Sequence, residues 1–80
     1  MPFPVSLLSQ KEVIFEGKAE SVIVPGEEGV FEILPFHKPI VSRLLSGTLF
    51  IDAQSFSIRR GIIKVSKNKA VIIIEEAAPR

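Results

Sequence analysis

Cysteine, tryptophan and tyrosine are absent from this 80-residue chain, and histidine and methionine occur once each. Without cysteine there is no disulfide and no thiolate metal site. A single histidine, with no Asp or Glu grouped at ligand spacing, cannot build a standard zinc site. No metal and no cofactor is therefore expected. The only aromatics are six phenylalanines. They do not interleave with basic residues as base-stacking side chains would, so the expectation is no nucleic acid. Long hydrophobic runs are also missing. The longest is Ala70–Ile74, against the ~20 residues a spanning helix needs. The opening stretch, MPFPVSLLSQK, has neither the basic n-region nor the apolar core of a signal peptide. We expect a soluble, intracellular protein that meets a membrane only through other proteins.

Charge of either sign is not in excess: ten Lys and Arg against nine Asp and Glu leave a net charge of +1. The basic residues look scattered. Lys64, Lys67 and Lys69 are close together, as are Arg59 and Arg60, and these are expected on a solvated strand face or turn.

What the chain does have is apolar surface. Hydrophobic residues make up 46% and the mean hydropathy is +0.35. Eighty residues form one domain, 1–80. Such a domain buries only about 60% of the surface its unfolded chain exposes, so its stability margin is thin. With disulfides and metals excluded, a partner is the remaining support. The apolar surplus is either an interface or an unusually rich β core.

Period-two patterning runs throughout. PFPVSLLS is followed by the turn-prone Ser9–Gln10–Lys11. EVIFEG is β-branched and aromatic and is expected to end at Gly17. In AESVIVPG, Ala19, Ser21 and Ile23 alternate against Val22 and Val24 before Pro25–Gly26. GVFEILP sets Val30, Glu32 and Leu34 against Phe31 and Ile33. GTLFIDA and SFSIRRG suggest a hairpin around Ala53–Gln54–Ser55, and GIIKVSKNKAVIIIEEA a last hairpin turning at Lys67–Asn68–Lys69. Short runs rich in Val, Ile and Phe, with turn signals every eight to twelve residues or so, predict an all-β sandwich or barrel. The best helical candidate, KPIVSRLLSG, is barely two turns long, and we read it as a strand or extended corner. The tail EEAAPR is polar and expected to fray.

The residue inventory argues against catalysis. His37 has Glu32, Ser42 and Ser46 nearby in sequence, but no glycine-rich elbow presents a serine to it. PGEEG lacks the Lys-Ser/Thr and the following helix of a phosphate loop, and its glutamates would repel phosphate. It reads as a tight turn in which Gly26 and Gly29 permit positive φ. Pro35 and Pro39 stiffen the segment between them and leave Phe36 on an exposed corner. A stiff loop loses little entropy on binding, and an exposed aromatic is a common anchor.

The stretch VIVPGEEGVFEILPFHKPIVSRLLSGTLFI resembles the central motif of the epsilon subunit of F-type ATP synthases. The matching residues are Pro25, Gly26, Glu28, Gly29, Ile33, Leu34, Pro35, His37, Pro39, Ile40, Gly47 and Leu49. Upstream, Phe15 and Gly17 are in register with the family's opening. Downstream, RRGIIKVSKNKAVIIIEEA is similar to its closing strands. Phe36 stands where the family has glycine, Lys38 where it has a small residue, and Arg60 where it has the first of two glycines. The family continues into two antiparallel helices that inhibit hydrolysis and, in some bacteria, bind ATP. This chain stops where they would begin, either because it is a piece of a longer subunit or, as we expect, because the subunit is naturally short; either way those functions are not carried over.

The resemblance implies a flattened antiparallel β-sandwich of about eight to ten short strands. It implies a non-catalytic rotor subunit of the central stalk, coupling the gamma subunit to the membrane c-ring during proton- or sodium-driven ATP synthesis. The subunit would belong to a hetero-oligomer peripheral to the cytoplasmic face of the bacterial inner membrane. By family position, Glu27, Glu28, Gly29 and Val30 would face the c-ring. Phe36, His37, Lys38 and Pro39 would lie toward gamma or the ring. The alternative is a stand-alone small β-barrel that binds a peptide or nucleic acid.

Overall fold

A computed structural model describes residues 1–76 of the chain, and it is built from strands alone. They are β1 (Phe3–Leu8), β2 (Val13–Ala19), β3 (Val22–Gly26), β4 (Gly29–Ile33), β5 (Ile40–Leu44), β6 (Gly47–Ile51), β7 (Gln54–Ser66) and β8 (Lys69–Glu76). The sequence patterning thus found the right class. The segment read as a strand or corner is strand β5. The tail from residue 77 lies outside the described residues.

All eight strands share one hydrogen-bonded network in the order β2-β1-β8-β7-β5-β3-β4, with β6 bridging β3 and β7. Pairing is antiparallel throughout except for β1 with β8, which is parallel. These two strands come from opposite ends of the chain, so no hairpin fixes their relative direction.

The strand that turns this network into two layers is β7, 13 residues long. Its first part pairs with β6, from Gln54↔Ile51 to Ile58↔Gly47. Its second part pairs with β5, from Gly61↔Leu44 to Val65↔Ile40. Between them the register with β8 slips at Ile58–Arg60. A bulge of this kind bends a strand and raises its twist. Sequence reading split β7 into two strands at this place, because RRG looks like a break. It is a bend within one continuous strand.

The bend brings both halves of the network over one core. Phe3, Val5 and Leu7 of β1 and Ile72 of β8 pack with Val22 and Val24 of β3, Ile33 of β4 and Leu49 and Ile51 of β6, all almost fully buried. The thinnest dimension is 21 Å, about twice the ~10 Å spacing of packed sheets. The chain is a flattened β-sandwich.

Local details refine the sequence expectations. β2 runs on through Gly17, which pairs with Val5, rather than ending there. The hairpin after β6 turns on Asp52–Ala53, since Ile51 pairs with Gln54. The last hairpin turns on Lys67–Asn68 with φ of 52° and 59°, the pair of left-handed residues of a type I′ turn. In the β3–β4 turn, Gly29 takes positive φ, 122°. Gly26 does not. It is needed because a Cβ there would sit 2.5 Å from the Phe31 ring.

Gly61 follows the bend, and a Cβ on it would lie 2.7 Å from the Ile73 carbonyl oxygen and 2.9 Å from Ile74 Cγ2. The obstacle is backbone, so it cannot rotate away. Gly61→Ala should therefore cost about 1–3 kcal/mol and lower the melting temperature by roughly 5–15 °C, measured by circular dichroism. An unchanged melting curve would show that β7 and β8 are not pinned at this point.

Candidate functional site

Strand β4 separates the two groups of residues singled out in the sequence. Glu27 and Glu28 form the turn before it, and Leu34–Pro39 forms the corner after it. Roughly 15 Å of extended chain lies between them. The structure does not bring the two groups together. It places them at opposite ends of one strand.

At the first end, Leu45 N–H donates to the Pro25 carbonyl at 2.8 Å, tying the start of the β5–β6 link to β3. Glu27 pairs with Arg43 of β5 at 3.0 Å. Both side chains are well exposed, so the pair contributes little stability, about 0–1 kcal/mol. Glu28 is exposed, and Val30 is 71% exposed on the outward face of β4.

At the other end, Phe36 is 69% exposed and its backbone is left-handed, with φ 64°. An L-residue held there costs about 1–2 kcal/mol. Two bonds hold the corner. Phe36 N–H donates to Asn68 Oδ1 at 2.7 Å, and His37 N–H donates to the Leu34 carbonyl at 3.2 Å. Asn68 is itself in the left-handed turn between β7 and β8, so that hairpin buttresses the corner. A third link closes this end. Asp52 Oδ1 accepts the N–H groups of Glu20 (3.0 Å) and Ser21 (3.1 Å), and Asp52 N–H returns a bond to the Ser21 carbonyl at 3.0 Å.

Two of the groups that could have served His37, Glu32 and Ser42, are engaged elsewhere. His37 Nδ1 donates to the Lys38 carbonyl at 2.7 Å. Glu32 Oε2 accepts from Ser21 Oγ at 2.6 Å, and Ser42 Oγ donates to the Arg43 carbonyl at 3.1 Å. No carboxylate–histidine–hydroxyl relay is assembled among them. The arrangement suits contact rather than proton transfer.

Sequence reading missed a third feature. On the outward face, Leu8 is opposite Ile73, Ile73 is opposite Ile62 and Ile62 is opposite Arg43. Ile73, Ile62 and Arg43, together with Leu45, line an open groove of about 410 Å³, bordered by Glu27 and Arg60. A signal was present. GII and AVIII break the alternation of a one-sided strand, which is the mark of apolar residues on both faces.

A family model described as ATP synthase, Delta/Epsilon chain, beta-sandwich domain, matches residues 2–80. Among curated relatives, the ATP synthase epsilon chain of Leptospira borgpetersenii is 36% identical over 78 residues, covering 92% of this chain and 61% of that one. The ATP synthase epsilon chain of Chlorobium limicola is 32% identical over 81 residues, covering 95% of this chain and 92% of its own. This chain therefore spans about three fifths of the first relative and nearly all of the second. Two solved structures share the fold. One is the central stalk/c-ring of the Tetrahymena thermophila mitochondrial ATP synthase, with TM-score 0.82, 15% identity, and coverage of 91% of this chain and 63% of that one. The other is the OSCP/F1/c-ring of the Euglena gracilis mitochondrial ATP synthase, with TM-score 0.87, 22% identity, and coverage of 98% and 53%.

The buttress at Phe36 can be tested by itself. Asn68→Ala removes both the acceptor and a residue that tolerates left-handed backbone, and should cost about 1–2 kcal/mol in urea unfolding. Amide exchange at Phe36 should accelerate with it. Asn68→Gly keeps the turn but loses the bond, so it should cost less while still exposing the Phe36 amide. Equal protection of Phe36 in all three proteins would show that the bond does not hold the corner.

Proposed function

Since the chain belongs to the delta/epsilon family of ATP synthases, as its β-sandwich domain, we propose that it is a non-catalytic rotor subunit of the central stalk, joining the gamma subunit to the membrane c-ring during proton- or sodium-driven ATP synthesis. The observation that carries this is the placement of the two exposed segments at opposite ends of β4, on one rigid sandwich. A coupler must be held by two neighbours at once and must not yield between them. Here the turn Glu27–Val30 meets the polar loops of the ring, and the corner Phe36–Pro39 meets gamma or the ring. The subunit works at the cytoplasmic face of a bacterial inner membrane, held there by the complex.

Rotation loads the link between the two contacts. Strand β4, paired along its length to β3 from Gly26↔Gly29 to Val22↔Ile33, is that link. Extended backbone, hydrogen-bonded in register, transmits force without the slack a loop would introduce. No bond is made or broken by this chain. It carries torque.

A pull-down tests the assignment. The tagged chain, co-expressed with the gamma subunit and the c-ring of its own operon, should retain both. Glu28→Arg should reduce c-ring recovery and leave the melting temperature unchanged. Phe36→Ala should reduce gamma recovery by about tenfold, as loss of an aromatic anchor does. If both proteins are recovered undiminished with the double variant, the two segments are not the contacts. If wild type retains neither, the chain is a free binding module and not a rotor part.

A further inference from the structure

The basic residues that look scattered along the sequence are gathered by the fold. Between positions 33 and 74 the chain has seven Lys and Arg and a single carboxylate, Asp52. The arginines are answered: Arg43 by Glu27, and Arg59 and Arg60 by Glu75. Asp52 is occupied by the amides of Glu20 and Ser21. Among the described residues, Lys38, Lys64, Lys67 and Lys69 have no carboxylate oxygen within 4.0 Å.

These four lysines share one end of the molecule. Lys38 is in the corner two residues from Phe36. Lys67 and Lys69 flank Asn68, whose side chain holds the Phe36 amide. Lys64 is on the outward face of β7, directly opposite Val41 of β5, which is 66% exposed. Two apolar side chains, Phe36 and Val41, thus stand among four unpaired ammonium groups. Like charges gathered this way repel one another and destabilise the free domain. Phe36 adds backbone strain, and such strain persists where the surroundings enforce it, often at sites of function. Each of these costs is recovered if a partner supplies carboxylates around an apolar depression.

We propose that this end of the sandwich docks onto an acidic face of its protein partner. Phe36 and Val41 enter an apolar depression there, and Lys38, Lys64, Lys67 and Lys69 meet carboxylates around its rim. This rests on the rotor assignment above and adds the chemistry of one contact. The tether from Asn68 fixes Phe36 in a single orientation before binding. Such preorganisation favours a shaped protein pocket, whereas a fluid layer of lipid headgroups does not select for it. The lysines steer the encounter and set its salt dependence.

The probe is the gamma subunit encoded with this chain, titrated calorimetrically at about 50 and about 300 mM KCl, conditions that differ strongly in screening. Wild-type affinity should fall about tenfold or more between the two. Lys38→Glu, Lys67→Glu and Lys69→Glu together should weaken binding about 100-fold at low salt and abolish the salt dependence. Phe36→Gly should weaken binding about tenfold at both salts, while its melting temperature stays level or rises because the left-handed strain is relieved. If gamma binds wild type and the charge-reversed variant equally, the contact is elsewhere; the inference fails while the rotor assignment stands. If gamma does not bind wild type, both fail. Vesicles with about 30% anionic phospholipid serve as the other arm. Lysine-dependent binding to vesicles with gamma binding unaffected would assign this end to a membrane surface and overturn the proposal.

Discussion

Everything in this molecule depends on the bend in β7. Without it the eight strands would form one open sheet with an apolar face in water. With it, the network folds over and the inward residues of β1 and β8 meet those of β3, β4 and β6 in one core. The bend needs a register slip at Ile58–Arg60 and a residue without a side chain at Gly61, where the β8 backbone comes too close for a Cβ. A domain of 80 residues has little stability to spare, so the long strand that runs through both layers carries much of the result.

The same economy shapes the two ends. Hairpins and corners in a small sandwich sit in water, where hydrogen bonds contribute modestly. Here they are cross-linked instead. The Asp52 carboxylate and amide fasten the β6–β7 turn to the link between β2 and β3, and Asn68 fastens the β7–β8 turn to the Phe36 corner. Each tether joins segments more than thirty residues apart in sequence, so the turns behave as parts of one body. Stiffness is what the proposed coupling role requires. It also explains how an exposed phenylalanine can be kept in left-handed backbone.

The outward face has a different character from the core. It has a row of aliphatic side chains, Leu8, Ile73 and Ile62, that ends at Arg43 and its partner Glu27. Surplus apolar composition in the sequence finds its explanation here and at Val30, Phe36 and Val41. A rich core alone would not leave these residues in solvent. The chain has been given more hydrophobic surface than it can cover, which accords with membership of a family whose relatives are ATP synthase epsilon chains.

The sequence alone determined the class of fold, most strand positions and the final hairpin. Local physics suffices for these: β-branched alternation favours strands, and Asn, Gly and Pro mark turns whether or not the rest of the chain is present. It also carried the motif around Pro25–Gly26 and Pro35–Pro39 that identified the family. It could not show that RRG is a bend inside one strand, because a break and a bulge have the same local signature and differ only in what the strand pairs with on either side. Nor could it show that Asn68 holds Phe36, that Lys64 stands opposite Val41, or that Glu27 and Phe36 lie at opposite ends. Those are relations between distant residues, set by register and by which layers meet, and register is decided only when the whole core closes.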